Sequence, residues 1–295
     1  MTSGDEVFRQ IQKKARAASA AEGRPVPTAE YLTRHALESF LDRLTRTAYK
    51  DDFVLKGGIL LAVYGVRRPT KDVDSEAIRA TVTPEVITQV IRDVAEVRVD
   101  DGLVFDLTTV NVREIRDQAD YPGLRMRVTA HIGSQKTVVA WDISTGDPIV
   151  PSPKLVRVPR ILGDGIEMLG YAPETALAEK GVTILERGIT STRWRDFVDI
   201  VQLATQHDID GELLLESARA VARYRRVELV PISPLIEGYG AVGQTKWAAW
   251  RRKEGLEDIS EADLDAQMAK VAEVIDPVFS RGPGTAGAKA STTGL

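Results

Sequence analysis

Cysteine is absent from the 295 residues, which excludes disulfides, thiol nucleophiles and cysteine-ligated zinc together. Histidine is scarce: His35, His131 and His207 are scattered too widely to point to a histidine metal site. No apolar run approaches the ~20 residues that span a bilayer, and no signal-like stretch opens the chain. A soluble, cytoplasmic protein is therefore the expectation. A strong excess of either charge is missing as well. The net charge of −4 argues against a wholly basic surface, while local basic clusters keep nucleic acid in play. What the chain does have is an ordinary apolar share, 43%, enough for a full core.

Hydrophobic periodicity predicts helices over 5–22 and 28–48, the second with Thr28 as its N-cap. A strand at 52–56 runs into a helix from Gly58 to Tyr64, a turn containing Pro69, and a second strand at 71–77. A helix follows at 83–96, and "VRVDDGLVFDLTTVNVREI" alternates like strand and turn. Strands at 123–132 and 136–143, joined through Gly133, Ser134 and Gln135, are expected to pair as a hairpin. From Tyr171 onward the pattern is helical. Pro173 and Gly188 stand at the start and stop of one helix, "STRWRDFVDIVQLATQ" forms the next, and others are expected at 210–225 and 260–275. Residues 281–295, rich in Gly, Ala, Ser and Thr, are expected to be disordered. The predicted class is α+β, with N-terminal helices over 1–50, an α/β core over 51–170 and a helical domain over 171–280.

The chemically unusual stretch is "FVLKGGILLAVYGVRRPTKDVD", residues 53–74. Side chains alternate along a strand, so Asp72 and Asp74 point to one face. Two carboxylates there repel unless a cation lies between them or a basic side chain pairs with one, Arg67, Arg68 and Lys71 being at hand. Mg²⁺ suits such a place because it prefers oxygen ligands and takes few protein carboxylates. Asp142, the lone charge of "TVVAWDIS", either completes a three-carboxylate site or merely ends its strand. Gly57 and Gly58 stand where a strand becomes a helix, presenting backbone N–H groups to an anion, with Lys56 adjacent. Lys180 falls at the edge of a buried helical face, as a phosphate ligand or a snorkelling side chain. Asp196 borders the Trp194/Phe197 face, where Arg193 or Lys180 offers an ion pair, and Asp199 is one turn from Arg195.

In this order the motifs resemble the nucleotidyltransferase superfamily, and specifically the AbiEii-type toxins of bacterial type IV toxin–antitoxin systems, which include the mycobacterial MenT group. The family's glycine pair, spacer and Arg-x-Ser/Thr before Asp-x-Asp are matched by Gly57-Gly58 and by Arg68-Pro69-Thr70-Lys71-Asp72-Val73-Asp74. "YPGLRMRVTAHIG" is similar to its middle strand and "WDIS" to the strand carrying its third acid. Glu179-Lys180 and Arg195-Asp196-Phe197-Val198-Asp199 resemble its two helical motifs, so the likeness runs from about 50 to 205. Gly181 departs from the pattern, since a larger apolar residue is usual there.

The resemblance implies a nucleotidyltransferase-like mixed sheet core with flanking helices. It implies Asp72, Asp74 and Asp142 as ligands of Mg²⁺ (or Mn²⁺), and Lys56, Gly57, Gly58, Thr70, Lys71 and Lys180 around an NTP. Asp72, Asp74, Lys180 and Asp196 are the catalytic candidates. The 3′ end of tRNA is the implied acceptor and an antitoxin encoded nearby the implied partner. "ARYRRVEL" and "TKWAAWRRKEG" interleave arginines with Tyr224, Trp247 and Trp250, which makes Arg225, Arg226, Arg251 and Arg252 candidates for RNA contact or for a solvated helix face. Transfer to a protein or small molecule is the alternative within the fold. A catalytically silent NTP-binding module is a third reading, disfavoured because it gives no reason to keep three acids together.

Overall fold

The structure, a computed structural model, describes residues 2–23, 25–66, 69–115, 123–190 and 192–281. The chain forms two compact units: Met1–Asp147 with Pro153–Tyr171, and Pro148–Ser152 with Ala172–Leu295.

The first unit is built on a seven-stranded mixed sheet. Its elements are α1 (Gly4–Glu22), α2 (Thr28–Leu44), β1 (Phe53–Lys56), α3 (Gly57–Val63), β2 (Val73–Ala77), α4 (Pro84–Glu96), β3 (Leu103–Glu114), β4 (Gly123–Ile132), β5 (Gln135–Thr145), β6 (Lys154–Val158) and β7 (Ile166–Gly170). Strand order is β3-β4-β5-β2-β1-β7-β6. The β1/β2, β3/β4, β4/β5 and β6/β7 pairs are antiparallel, whereas β2/β5 and β1/β7 are parallel. The expected β4/β5 hairpin is present, but Ile132 pairs directly with Gln135, so its turn is Gly133–Ser134 alone. Thr28 opens α2 as its first residue; the cap position is Pro27, and no side chain caps it.

β4 explains how the sheet sorts its two faces. Leu124, Met126, Val128, Ala130 and Ile132 are all buried, and the alternate residues Arg125, Arg127, Thr129 and His131 are half-buried or exposed. Next to this apolar face, on β5, lies Trp141, fully buried, its ring 5.2 Å from Phe40 of α2 and 4.6 Å from Phe53 of β1. Its indole N–H donates to Ser75 Oγ at 2.7 Å, so the one polar atom of the ring is satisfied inside the core. Burying each such aromatic contributes roughly 2–3 kcal/mol, and this seam fixes α2 over β5, β2 and β1. The polar face is thereby turned the other way.

The second unit is helical: α5 (Pro173–Arg187), α6 (Trp194–Gln206), α7 (Gly211–Arg225), α8 (Ser233–Ile236), α9 (Tyr239–Glu254) and α10 (Leu264–Phe279). Pro173 stands in the first turn of α5 and Gly188 caps it with φ +54°, as the start and stop signals required. Gly181 has a packing reason: a Cβ there would lie 2.6 Å from the Phe279 ring. The larger residue expected at that position is excluded by the α5–α10 approach. The tail past Arg281 lies outside the described residues, as do Arg67 and Arg68.

Candidate active site

The acids of the first unit come together through strand register. Lys56 of β1 stands opposite Asp74 of β2, Asp74 opposite Asp142 of β5, Asp142 opposite Arg125 of β4, and Arg125 opposite Arg113 of β3. Residues in register share a face, so one row across five strands reads Lys, Asp, Asp, Arg, Arg. Asp72 enters just before β2 and is half-buried.

Gly57 makes room for Asp74. Its φ is +66°, a conformation glycine adopts without penalty, and a Cβ built there would lie 1.9 Å from Asp74 Oδ2. The carboxylate is therefore packed against the backbone where β1 turns into α3. Gly58 is buried in the first turn of α3, Thr70 is half-buried, and Lys71 is exposed.

Arg125 is the electrostatic counterpart. Its Nε donates to Asp142 Oδ1 at 2.6 Å, and a second guanidinium nitrogen donates to Oδ2. The hydrogen bonds to Asp142 and the charges of Asp142, Asp72 and Asp74 hold its proton more firmly than usual, against the effect of partial burial. All three expected acids thus act on one guanidinium. Asp142 neither merely ends its strand nor stands alone.

A fourth acid, Glu76, went unnoticed in the sequence. It is 1% exposed and accepts from Lys56 Nζ at 3.0 Å, Ser144 Oγ at 2.6 Å and the Asp147 backbone N–H at 3.1 Å. Lys56 also lies 5.5 Å from the Tyr171 ring centroid. The available signal was the continued alternation Asp72-x-Asp74-x-Glu76. Arg125 carried a weaker one, an arginine at an outward position of an alternating strand. Asp72, Asp74 and Asp142 offer only carboxylate oxygen, the donor type that suits a hard divalent cation such as Mg²⁺, and in this structure both Asp142 oxygens are held by Arg125.

In the second unit, Lys180 of α5 donates to Asp196 and, at 2.9 Å, to Asp199 Oδ2, both of α6. Arg193 Nε donates to the other Asp196 oxygen at 2.8 Å. Burial would raise the pKa of Asp196, but Lys180 and Arg193 outweigh it and lower the group from 3.8 to about 2. The pairing of Asp199 is therefore with Lys180; Arg195 instead binds Glu254.

The basic clusters separate on inspection. Arg251 is buried, its guanidinium donating to Ser260 Oγ and to the carbonyls of Glu257 and Ser260, which excludes it as a surface contact. Trp247 is fully buried and stacks on the half-buried Trp250, so Trp247 offers no face to a base. Arg225 leans on α5, donating to Thr183 Oγ1 at 2.9 Å; Arg226 and Arg252 are exposed.

The family model described as "Nucleotidyl transferase AbiEii toxin, Type IV TA system" matches residues 39–276. The chain belongs to this family. Among solved structures, JHP933 from Helicobacter pylori is similar at 14% identity and a TM-score of 0.48, over 84% of this chain and 91% of that one. An antigenic nucleotidyltransferase-like protein from Paracoccidioides brasiliensis is similar at 13% identity and a TM-score of 0.39, over 66% and 89%. A search of curated proteins finds no match. The AbiEii match takes in Asp72, Asp74 and Asp142 as well as Lys180 and Asp196, and it ties the chain to nucleotidyl transfer in a toxin–antitoxin setting. α1 and the first part of α2 precede it. Among the described residues no helix is long and apolar enough to cross a membrane.

Proposed function

We propose that this AbiEii-family protein is a metal-dependent toxin of the MenT kind, acting in the cytoplasm, that transfers NMP from an NTP to the 3′ end of tRNA and so blocks aminoacylation. The observation that carries the reading is the register-matched Asp74/Asp142 pair with Asp72 nearby in sequence, Asp74 packing against Gly57 where any Cβ would meet its carboxylate. Clustered carboxylates are costly for folding, and their concentration at one strand end beside a glycine turn is what phosphoryl chemistry uses.

Asp72, Asp74 and Asp142 are the residues that would hold Mg²⁺, which when bound supplies charge neutralisation at the triphosphate and lowers the pKa of an attacking hydroxyl. The chain's own groups do the rest. Gly57 and Gly58 let the phosphates approach the backbone, while Lys56, Thr70 and Lys71 offer donors around them. Arg125, donating to both oxygens of Asp142, fixes the orientation of that carboxylate. The acceptor 3′ oxygen attacks the α-phosphorus, its proton passes to the carboxylate cluster, and the bond to the β-phosphate oxygen breaks to release pyrophosphate. Lys180, held by Asp196 and Asp199, is assigned to the triphosphate by resemblance. A cognate antitoxin is the expected protein partner.

The test incubates purified protein with Mg²⁺, total bacterial tRNA and each α-³²P-labelled NTP in turn, with Asp72→Ala and Lys180→Ala as controls. Label on tRNA from the wild type alone supports the reading and identifies the nucleotide. Label on protein with none on RNA refutes the tRNA acceptor in favour of a protein one.

A further inference from the structure

The row that assembles the acids does not stop at them. Beyond Asp142 it continues through Arg125 to Arg113, and the next row along the sheet carries Asn111 opposite Arg127. Arg113 and Arg127 are exposed on the same sheet face as Asp74 and Asp142. Arginines set directly opposite and two residues apart repel one another. Arg125 is compensated by Asp142, whereas Arg113 and Arg127 make no ion pair among the described residues. Farther along, the face offers the polar Thr129 and the exposed Val138. Its acid there, Asp106, is occupied by the Thr108 backbone N–H and hydroxyl.

We propose that this open face of β3, β4 and β5 is the track along which the sugar–phosphate backbone of the RNA acceptor lies as its end enters the carboxylate site. The inference rests on the RNA-acceptor reading and gives it a location on the sheet, away from the helical clusters. Uncompensated, exposed arginines have the chemistry of phosphate contact. Their placement fixes the direction of approach: Arg113 shares the row of Asp142 and Asp74, two strands from Asp142, and Arg127 stands in the next row, one strand from β5. An acidic protein would meet the same charges, but the row's continuity with the carboxylate cluster favours the molecule whose end must reach it.

The experiment measures binding of end-labelled total tRNA to the full chain across a salt series, for wild type, R113Q/R127Q and R113K/R127K. Removing two phosphate contacts lowers the slope of log K against log salt by about 1.4–1.8. The glutamine pair is expected to show that drop and roughly tenfold weaker binding in dilute salt, with unchanged thermal melting, and the lysine pair to restore the slope. An unaltered slope in R113Q/R127Q overturns the track and leaves RNA as acceptor by another surface. Absence of salt-dependent RNA binding by the wild type overturns the RNA-acceptor reading and the track together.

Discussion

The hydrogen that glycine carries in place of a side chain is what lets Asp74 sit against the β1–α3 turn. In Gly57→Ala the new methyl meets the carboxylate at 1.9 Å and the backbone is held at φ +66°. We expect a stability loss of about 1–3 kcal/mol and a fall in transfer of roughly 10²-fold as Asp74 is displaced; urea titration and single-turnover kinetics measure the two. Asp196 supplies a pH-dependent test. Its pKa is lowered from 3.8 to about 2 in the folded chain, so its contribution is complete above pH 4 and is lost as pH falls from 4 towards 2. Between those limits the wild type should lose roughly 2 kcal/mol more than Asp196→Asn in denaturation experiments. At this scale the paired acids were legible, because a period of two on one strand is a local signal. Glu76 continues that period and was overlooked, its partners Ser144 and Asp147 being far along the chain, and Arg125 is read only through Asp142, 17 residues away.

Among the elements, α2 shows how a buried ion pair can organise a junction. Arg43 donates to both oxygens of Asp101 and to the carbonyls of Ser39, Val97 and Leu103, tying α2 to the chain between α4 and β3. Burial works to raise the Asp101 pKa, yet Arg43 outweighs it and the carboxyl stays below its ordinary value. Arg43→Ala leaves that carboxylate buried without a partner and should cost about 3–5 kcal/mol. Arg43→Ala/Asp101→Ala should cost less than the sum of the single changes, which a double-mutant cycle in urea would record. Elements with strong periodicity, such as α4, β4, β5 and α6, were legible before folding. α9 was not, since its Gly240 and Gly243 lower helix propensity. Both serve packing instead: a Cβ at Gly240 would lie 2.3 Å from the Asp265 carboxylate, and one at Gly243 would lie 2.6 Å from Leu264. The buried Arg251 within α9 reads as a surface charge until the chain folds back to place Ser260 beside it. β6 and β7 carried no clear signal, being five residues each and completed only by pairing with one another and with β1.

For the whole molecule, a net charge of −4 and a nucleic-acid substrate are compatible because charge is arranged locally, in rows on one sheet face. The α+β architecture followed from the order of periodic segments. The seven-strand order did not, because parallel pairing of β2 with β5 joins residues about 68 positions apart. The central claim is that the carboxylate cluster joins a nucleotide to the 3′ hydroxyl of RNA. Its most direct test supplies wild type and Asp74→Asn with Mg²⁺, α-³²P-labelled NTPs and either intact or periodate-oxidised tRNA, with a chelator as a further control. The account predicts label on intact tRNA with the wild type only, and none after periodate oxidation or chelation. Equal labelling of oxidised tRNA, or undiminished labelling by Asp74→Asn, would contradict it.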